Sequence, residues 1–155
     1  MVGAGHAVRL VSSDPSEQDE IEAIGAEYWV GTPARLGTLR GALDGVAIAC
    51  WLLGCGEGGL ALHGERLELF MTQVIDTTVR GVIYEAAGTV PADVLAGGAR
   101  LVATLAQKNM IPVAILTADP AEAAAWLAQA QAAIAALLDG ATNALPDQGE
   151  QGVDR

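Results

Sequence analysis

Basic side chains are scarce: 8 Lys and Arg stand against 19 Asp and Glu in 155 residues, a formal charge of −11 at pH 7. No basic stripe can form to neutralise a phosphate backbone or to dock on an anionic bilayer, so neither nucleic acid nor a membrane surface is an expected partner. Cysteine is nearly absent as well. Cys50 and Cys55 are the only two, both in an apolar and glycine-rich stretch, which reads as free thiols in a reducing cytoplasm rather than as a disulfide framework. The two histidines, His6 and His63, lie in different segments, and neither makes a ligand spacing with the cysteines, so no metal is assigned. A basic n-region leading into an apolar h-region is missing, which argues against a secretory signal. The longest apolar run, AEAAAWLAQAQAAIAALL, is interrupted by Glu122, Gln129 and Gln131 and fails as a membrane span. These absences lead us to expect a soluble, cytoplasmic protein.

Apolar residues make up 52% of the chain, enough for one domain with a buried core. We expect it over residues 1–140, followed by a disordered acidic tail over 141–155, ATNALPDQGEQGVDR, which has little to bury. Within the domain, strand-like and helix-like runs alternate. HAVRLVSS (6–13) ends at Asp14-Pro15, an N-cap followed by a first helical position, and a short acidic helix stops at Gly25. EYWV (27–30) ends at Gly31-Thr32-Pro33, from which Leu36, Leu39 and Leu43 at helical spacing predict a second helix. The run at 46–53 is continuously apolar, as expected of a parallel strand covered on both faces. A helix is predicted over 60–78, a strand over 79–86, a helix over 91–108 and a strand over 111–116. Asp119-Pro120-Ala121-Glu122 then has the form of a capping box, and the last helix runs to Gly140. Five such units predict an α/β fold: a Rossmann-like parallel sheet of about five strands with helices on both faces. Ligands of such sheets bind at the carboxyl ends of the strands.

One motif carries a specific chemistry. In GVAIACWLLGCGEGG, Gly54, Gly56 and Gly59 spell G-x-G-x-x-G after a strand, a pattern in which glycines let a pyrophosphate approach backbone N–H groups at a helix start. The ribose acid should follow about 20 residues on, whereas Glu85, at the end of the next strand, lies 26 beyond Gly59.

The order of these segments resembles the Rossmann domain of atypical and extended short-chain dehydrogenase/reductase relatives, the epimerase-like and NmrA-like group. The resemblance rests on AGHAVRLVSSDP, GAEYWVGTPARLGTLRGALDGVAIACWLLG, RGVIYEAAGTVP and IPVAILTADP, over residues 4–120. It implies that GVAIACWLLG is the family's fourth strand and that the first strand, with its glycine loop and most of its helix, is left off. NAD or NADP is the implied cofactor, weak or lost, with Ser12, Asp14, Thr32, Gly54 and Gly56 as the positions on the cofactor side. With the family's strand order, the absent strand would lie between HAVRLVSS and VAIACWLL. That leaves two edges to close on each other in a rearranged sheet or on a partner, a homodimer included.

The family's catalytic Tyr-x-x-x-Lys is missing. Thr104 stands four positions before Lys108, Gly88 four after Tyr84, and Ala86 and Ala87 occupy the expected serine positions. Tyr84 and Glu85 remain candidates for proton transfer, each with a plain structural role as the competing reading. Three readings stay open: a non-catalytic or incomplete NAD(P)-binding module, a reductase or epimerase with a mis-assigned start, and an interaction domain that dimerises through an exposed sheet edge.

Overall fold

The computed structural model describes residues 1–140; the tail expected over 141–155 lies outside the described residues. Among the described residues are five strands, each paired in parallel with its neighbours, and five α-helices. They are β1 (Arg9–Ser12), α1 (Gln18–Ala23), β2 (Glu27–Val30), β3 (Ile48–Trp51), α2 (Gly59–His63), α3 (Glu65–Ile75), β4 (Gly81–Glu85), α4 (Ala92–Lys108), β5 (Val113–Leu116) and α5 (Ala123–Leu138).

The strands form two sheets rather than one. β1 pairs with β2, and β3, β4 and β5 form a three-stranded sheet with β4 at its centre. The three-stranded sheet is covered on both faces. On one side Ala49, Trp51, Val82 and Tyr84 pack against Leu67, Phe70 and Met71 of α3 and Val102 and Ala106 of α4. On the other, Ile83, Ala114 and Leu116 pack against Ala130, Ile134 and Leu137 of α5. This is the strand alternation of an α/β layer: neighbours along β4 feed opposite cores, so every residue of β4 is buried. The apolar side chains among them, such as Val82 and Ile83, each contribute about 1.5–3 kcal/mol of burial.

Two helix expectations are revised. Leu36, Leu39 and Leu43 are buried as expected, but Leu36 and Leu43 lie on two separate 3-10 turns, Leu36–Thr38 and Gly41–Leu43, and Leu39 caps the first. Side chains take the carbonyls a helix would use: the Trp29 indole donates to Thr38 O at 2.9 Å, and Thr38 Oγ1 donates to Arg35 O at 2.6 Å. The Trp29 ring also lies against Gly41, where a Cβ would come within 2.9 Å of it. The helix predicted over 60–78 is broken at Gly64 (φ −124°, ψ −104°) into α2 and α3, which lets His63 turn into the core. The capping box at 119–122 acts one turn early: Asp119 Oδ1 accepts from Ala121 N at 2.9 Å, and α5 begins only at Ala123.

Candidate functional site

Within each sheet the strands run the same way, so their carboxyl ends gather at one edge of that sheet. At these edges lie the turn after β1 with Ser12 and Asp14, Thr32 after β2, the glycine loop after β3 and the turn after β4. The turn after β1 is a network of local bonds. Ser12 Oγ donates to the Glu17 carboxylate and accepts from Asp14 N, and Asp14 Oδ1 accepts from Ser16 N at 2.9 Å and Ser16 Oγ at 2.7 Å. The bonds from Ser16 lower the Asp14 pKa below its ordinary value. Asp14 is exposed, and its Oδ2 stands outside this cap. Thr32 likewise serves its own turn: its Oγ1 accepts from Ala34 N at 3.2 Å, and its N–H donates to Thr38 Oγ1 at 2.9 Å.

The glycine loop is packed against protein. Gly54 N donates to Glu85 Oε2 at 2.7 Å, Gly54 O accepts from Val90 N at 2.9 Å, and Gly56 N donates to Leu53 O at 3.0 Å. A Cβ on Gly54 would stand 1.9 Å from Ala87 O, and one on Gly88 would stand 2.3 Å from Gly54 O. The glycines at 54 and 88 are therefore needed because two backbone loops cross in contact. Two amides that a phosphate would need are already bonded, and α2 is only five residues long. A pyrophosphate does not fit this loop as a cradle.

Tyr84 and Glu85 end β4 side by side and point to opposite cores. Glu85, 4% exposed, accepts from Gly54 N through Oε2 and from the Trp126 indole at 2.8 Å through Oε1, so it ties the end of β3 to α5. Tyr84 is fully buried, with its hydroxyl 2.6 Å from His63 Nδ1. His63 Nε2 lies 3.1 Å from Leu53 O. A carbonyl only accepts, so Nε2 carries the proton and Nδ1 accepts from the Tyr84 hydroxyl. Burial lowers the His63 pKa, against the opposing pull of Leu53 O and Glu85, which fixes this neutral form. Burial, with the Glu85 charge adding to it, pushes the Tyr84 hydroxyl up to about 12. The structure thus brings together Tyr84, Glu85, Gly54 and His63, and gives each of them a partner inside the protein. Sequence reasoning had considered His63 only as a metal ligand. Its one local signal is the Gly64 break beside it. Gly98 of α4 was also missed: a Cβ there would stand 2.0 Å from the Tyr84 hydroxyl, so the helix can lie over Tyr84 only with glycine at this point.

Among the described residues no group of three or more His, Cys, Asp or Glu could hold a metal ion, and no helix is long and apolar enough to cross a membrane.

No protein-family model matches the chain, and no curated protein sequence does. Solved structures do match. Citrobacter sp. triphenylmethane reductase, in a crystal structure complexed with NADP(H), superposes with a TM-score of 0.56 at 16% identity, over 70% of this chain and 38% of that one. The fold is Rossmann-like. A second structure of the Citrobacter reductase gives the same values. The crystal structure of gox2253 matches with a TM-score of 0.56 at 21% identity, over 74% of this chain and 44% of that one. The Rossmann-like chain thus spans less than half the length of these neighbours.

Proposed function

We propose that the chain is an NAD(P)-binding Rossmann module related to the short-chain dehydrogenase/reductase group and without proton-transfer chemistry of its own. The observation that carries this reading is the division of the carboxyl edge. An exposed carboxylate, Asp14, follows β1, where a ribose can be met. The residues nearest to catalytic candidates, Tyr84 and Glu85, are sealed in hydrogen bonds. The NADP(H) complex of the Citrobacter reductase supports the choice of ligand. A bound dinucleotide would supply hydride transfer; the residues of this chain would hold its adenosine side at Ser12, Asp14 and Thr32. Tyr84 keeps its proton up to about 12 and exchanges it with no substrate.

Calorimetric titration of NADH and NADPH into the folded chain tests the reading. Without a phosphate cradle, we expect saturable but weak binding, Kd about 0.1–1 mM, or roughly −4 to −5.5 kcal/mol. Asp14→Asn preserves the cap to Ser16 and should weaken binding by about threefold to tenfold. A chain that is folded by circular dichroism and binds neither nucleotide overturns the reading. Steady turnover of NADPH with a carbonyl substrate overturns its non-catalytic part.

A further inference from the structure

The segment 55–63, between β3 and α3, has little of its own to hold it in place. It contains Gly56, Gly58 and Gly59, and Gly58 takes a φ of +97° that favours glycine. Its helix, α2, is five residues long and has no side-chain cap, too short to stand by its own bonds. Leu60 is 76% exposed, and the one buried residue of α2 is His63, at 3%. The imidazole is therefore the anchor of the segment.

That anchor grips one end of a chain of hydrogen bonds. His63 Nε2 donates to Leu53 O at 3.1 Å, and the other polar group of the same peptide, Gly54 N–H, donates to Glu85 Oε2 at 2.7 Å. The Tyr84 hydroxyl donates to His63 Nδ1 at 2.6 Å. All the donors thus point one way, from the hydroxyl through the imidazole and the peptide to a carboxylate that also accepts from the Trp126 indole. Such aligned bonds polarise and strengthen one another. The alignment lasts only while Nδ1 accepts, which requires a neutral ring.

A proton on Nδ1 reverses the first link. The hydroxyl is then left to donate to Leu95 O, 3.4 Å away, and a positive charge sits where the side chain has almost no water. Glu85 attracts that charge, but burial outweighs it and holds the His63 pKa below 6.5. The charges on the packed elements give no relief. Glu57 in the segment, Glu65 and Glu68 of α3, and Asp93 and Arg100 of α4 are exposed, and Arg66 of α3 is half-buried. Among the described residues His63 bonds to none of them. Moving the segment brings the imidazolium to water without breaking a strand, because the bonds of Gly54 to Glu85 and to Val90 N lie outside it. The break at Gly64, where α2 gives way to α3, is its far hinge.

We propose that residues 55–63 form an acid-released strap: neutral His63 fastens it to Tyr84 and Leu53, and a proton on the imidazole lets it swing off while β3, β4 and the Gly54–Glu85 bond stay in place. Release takes the imidazole away from the Tyr84 hydroxyl, at the carboxyl end of β4. The strap stands apart from nucleotide binding.

Native-state hydrogen exchange of the full chain, read by NMR from about pH 8 to pH 5 and corrected for intrinsic rates, tests it. The amides of Gly56, Ala61 and Leu62 are bonded within the strap or to its base. Their opening constant should rise by up to about tenfold per pH unit below about pH 6.5, the slope of one proton. It should exceed that of the β4 amides at every pH, because less structure is lost. Nitrogen chemical shifts of His63 near neutral pH should place the proton on Nε2. His63→Gln cannot titrate and should abolish the slope, and Tyr84→Phe should raise strap opening at neutral pH by about fivefold to thirtyfold. A flat profile in wild type, a neutral ring protonated on Nδ1, or a slope that survives in His63→Gln overturns the proposal. So do equal opening constants in the strap and in β4, a result that needs no variant to fold.

Discussion

β4 and β1 are both short parallel strands in one chain, yet they live under opposite conditions. β4 has a strand on each side and a helix layer on each face, and all five of its residues are buried. β1 has one neighbour among the described residues, and its central Leu10 and Val11 are exposed. The sequences differ little in apolar character, RLVS against GVIYE. What separates them is what lies alongside, so burial here is a property of sheet position and not of the strand itself. The three-stranded half is a completed α/β layer, and the two-stranded half keeps an edge that is unpaired among the described residues.

The largest effect should come from the completed half. Gly98→Ala puts a methyl 2.0 Å from the Tyr84 hydroxyl and 2.7 Å from the ring carbon that bears it. With α4 and β4 packed face to face, neither can yield cheaply, and urea unfolding should show a loss of about 3 kcal/mol or more. Tyr84→Phe alone frees His63 Nδ1 of its partner and should cost about 1–2 kcal/mol. The double variant should be clearly more stable than the sum of the two, because the deleted hydroxyl is the atom that the new methyl meets. Strict additivity would mean that Gly98 is not there to admit Tyr84.

A matched pair of truncations measures the comparison directly. Val82→Ala removes two methyl groups from a residue with 0% exposure at the centre of the sheet, with an expected cost of about 2–3 kcal/mol. Val11→Ala removes the same groups from a residue 41% exposed and should cost less than about 0.5 kcal/mol. Similar losses at the two positions would show that β1 is covered in solution.

The contrast also sets what was legible in the sequence. The α/β class, the parallel direction and the strands at EYWV and VRGVIYEA follow from local alternation and turn residues, and they stand in the structure. The split into two sheets depends on which strands meet, a long-range fact; the rearranged closure of the two facing edges does not occur among the described residues. The leucines at 36, 39 and 43 are periodic and buried, but periodicity is blind to a tryptophan nine residues earlier that takes a helix carbonyl. At the site, the glycines of the G-x-G-x-x-G pattern were visible and their reason was not. Gly54 answers to Ala87 and Glu85, more than thirty residues away, and a spacing rule has no access to that contact. His63 was unreadable for the same cause, since its partners Tyr84 and Leu53 lie on other elements.

The smallest predicted effect concerns that histidine and separates the two halves by pH. Burial lowers the His63 pKa below its ordinary 6.5, so between the folded and unfolded values the unfolded chain binds the extra proton. Stability from this group is therefore complete above about pH 6.5 and is lost as pH falls toward the folded value. Protonation would also turn Nδ1 into a donor facing the Tyr84 hydroxyl, which must then give up its bond and fall back on Leu95 O, 3.4 Å away. Unfolding midpoints measured from pH 8 to pH 5 should fall for wild type across this window and fall less for His63→Gln, which cannot titrate. Hydrogen exchange over the same range places the effect: β4 amides should lose protection with acid while those of β1 change little, because His63 touches only the three-stranded half. Equal loss in both sheets would mean that the two halves unfold as a single unit.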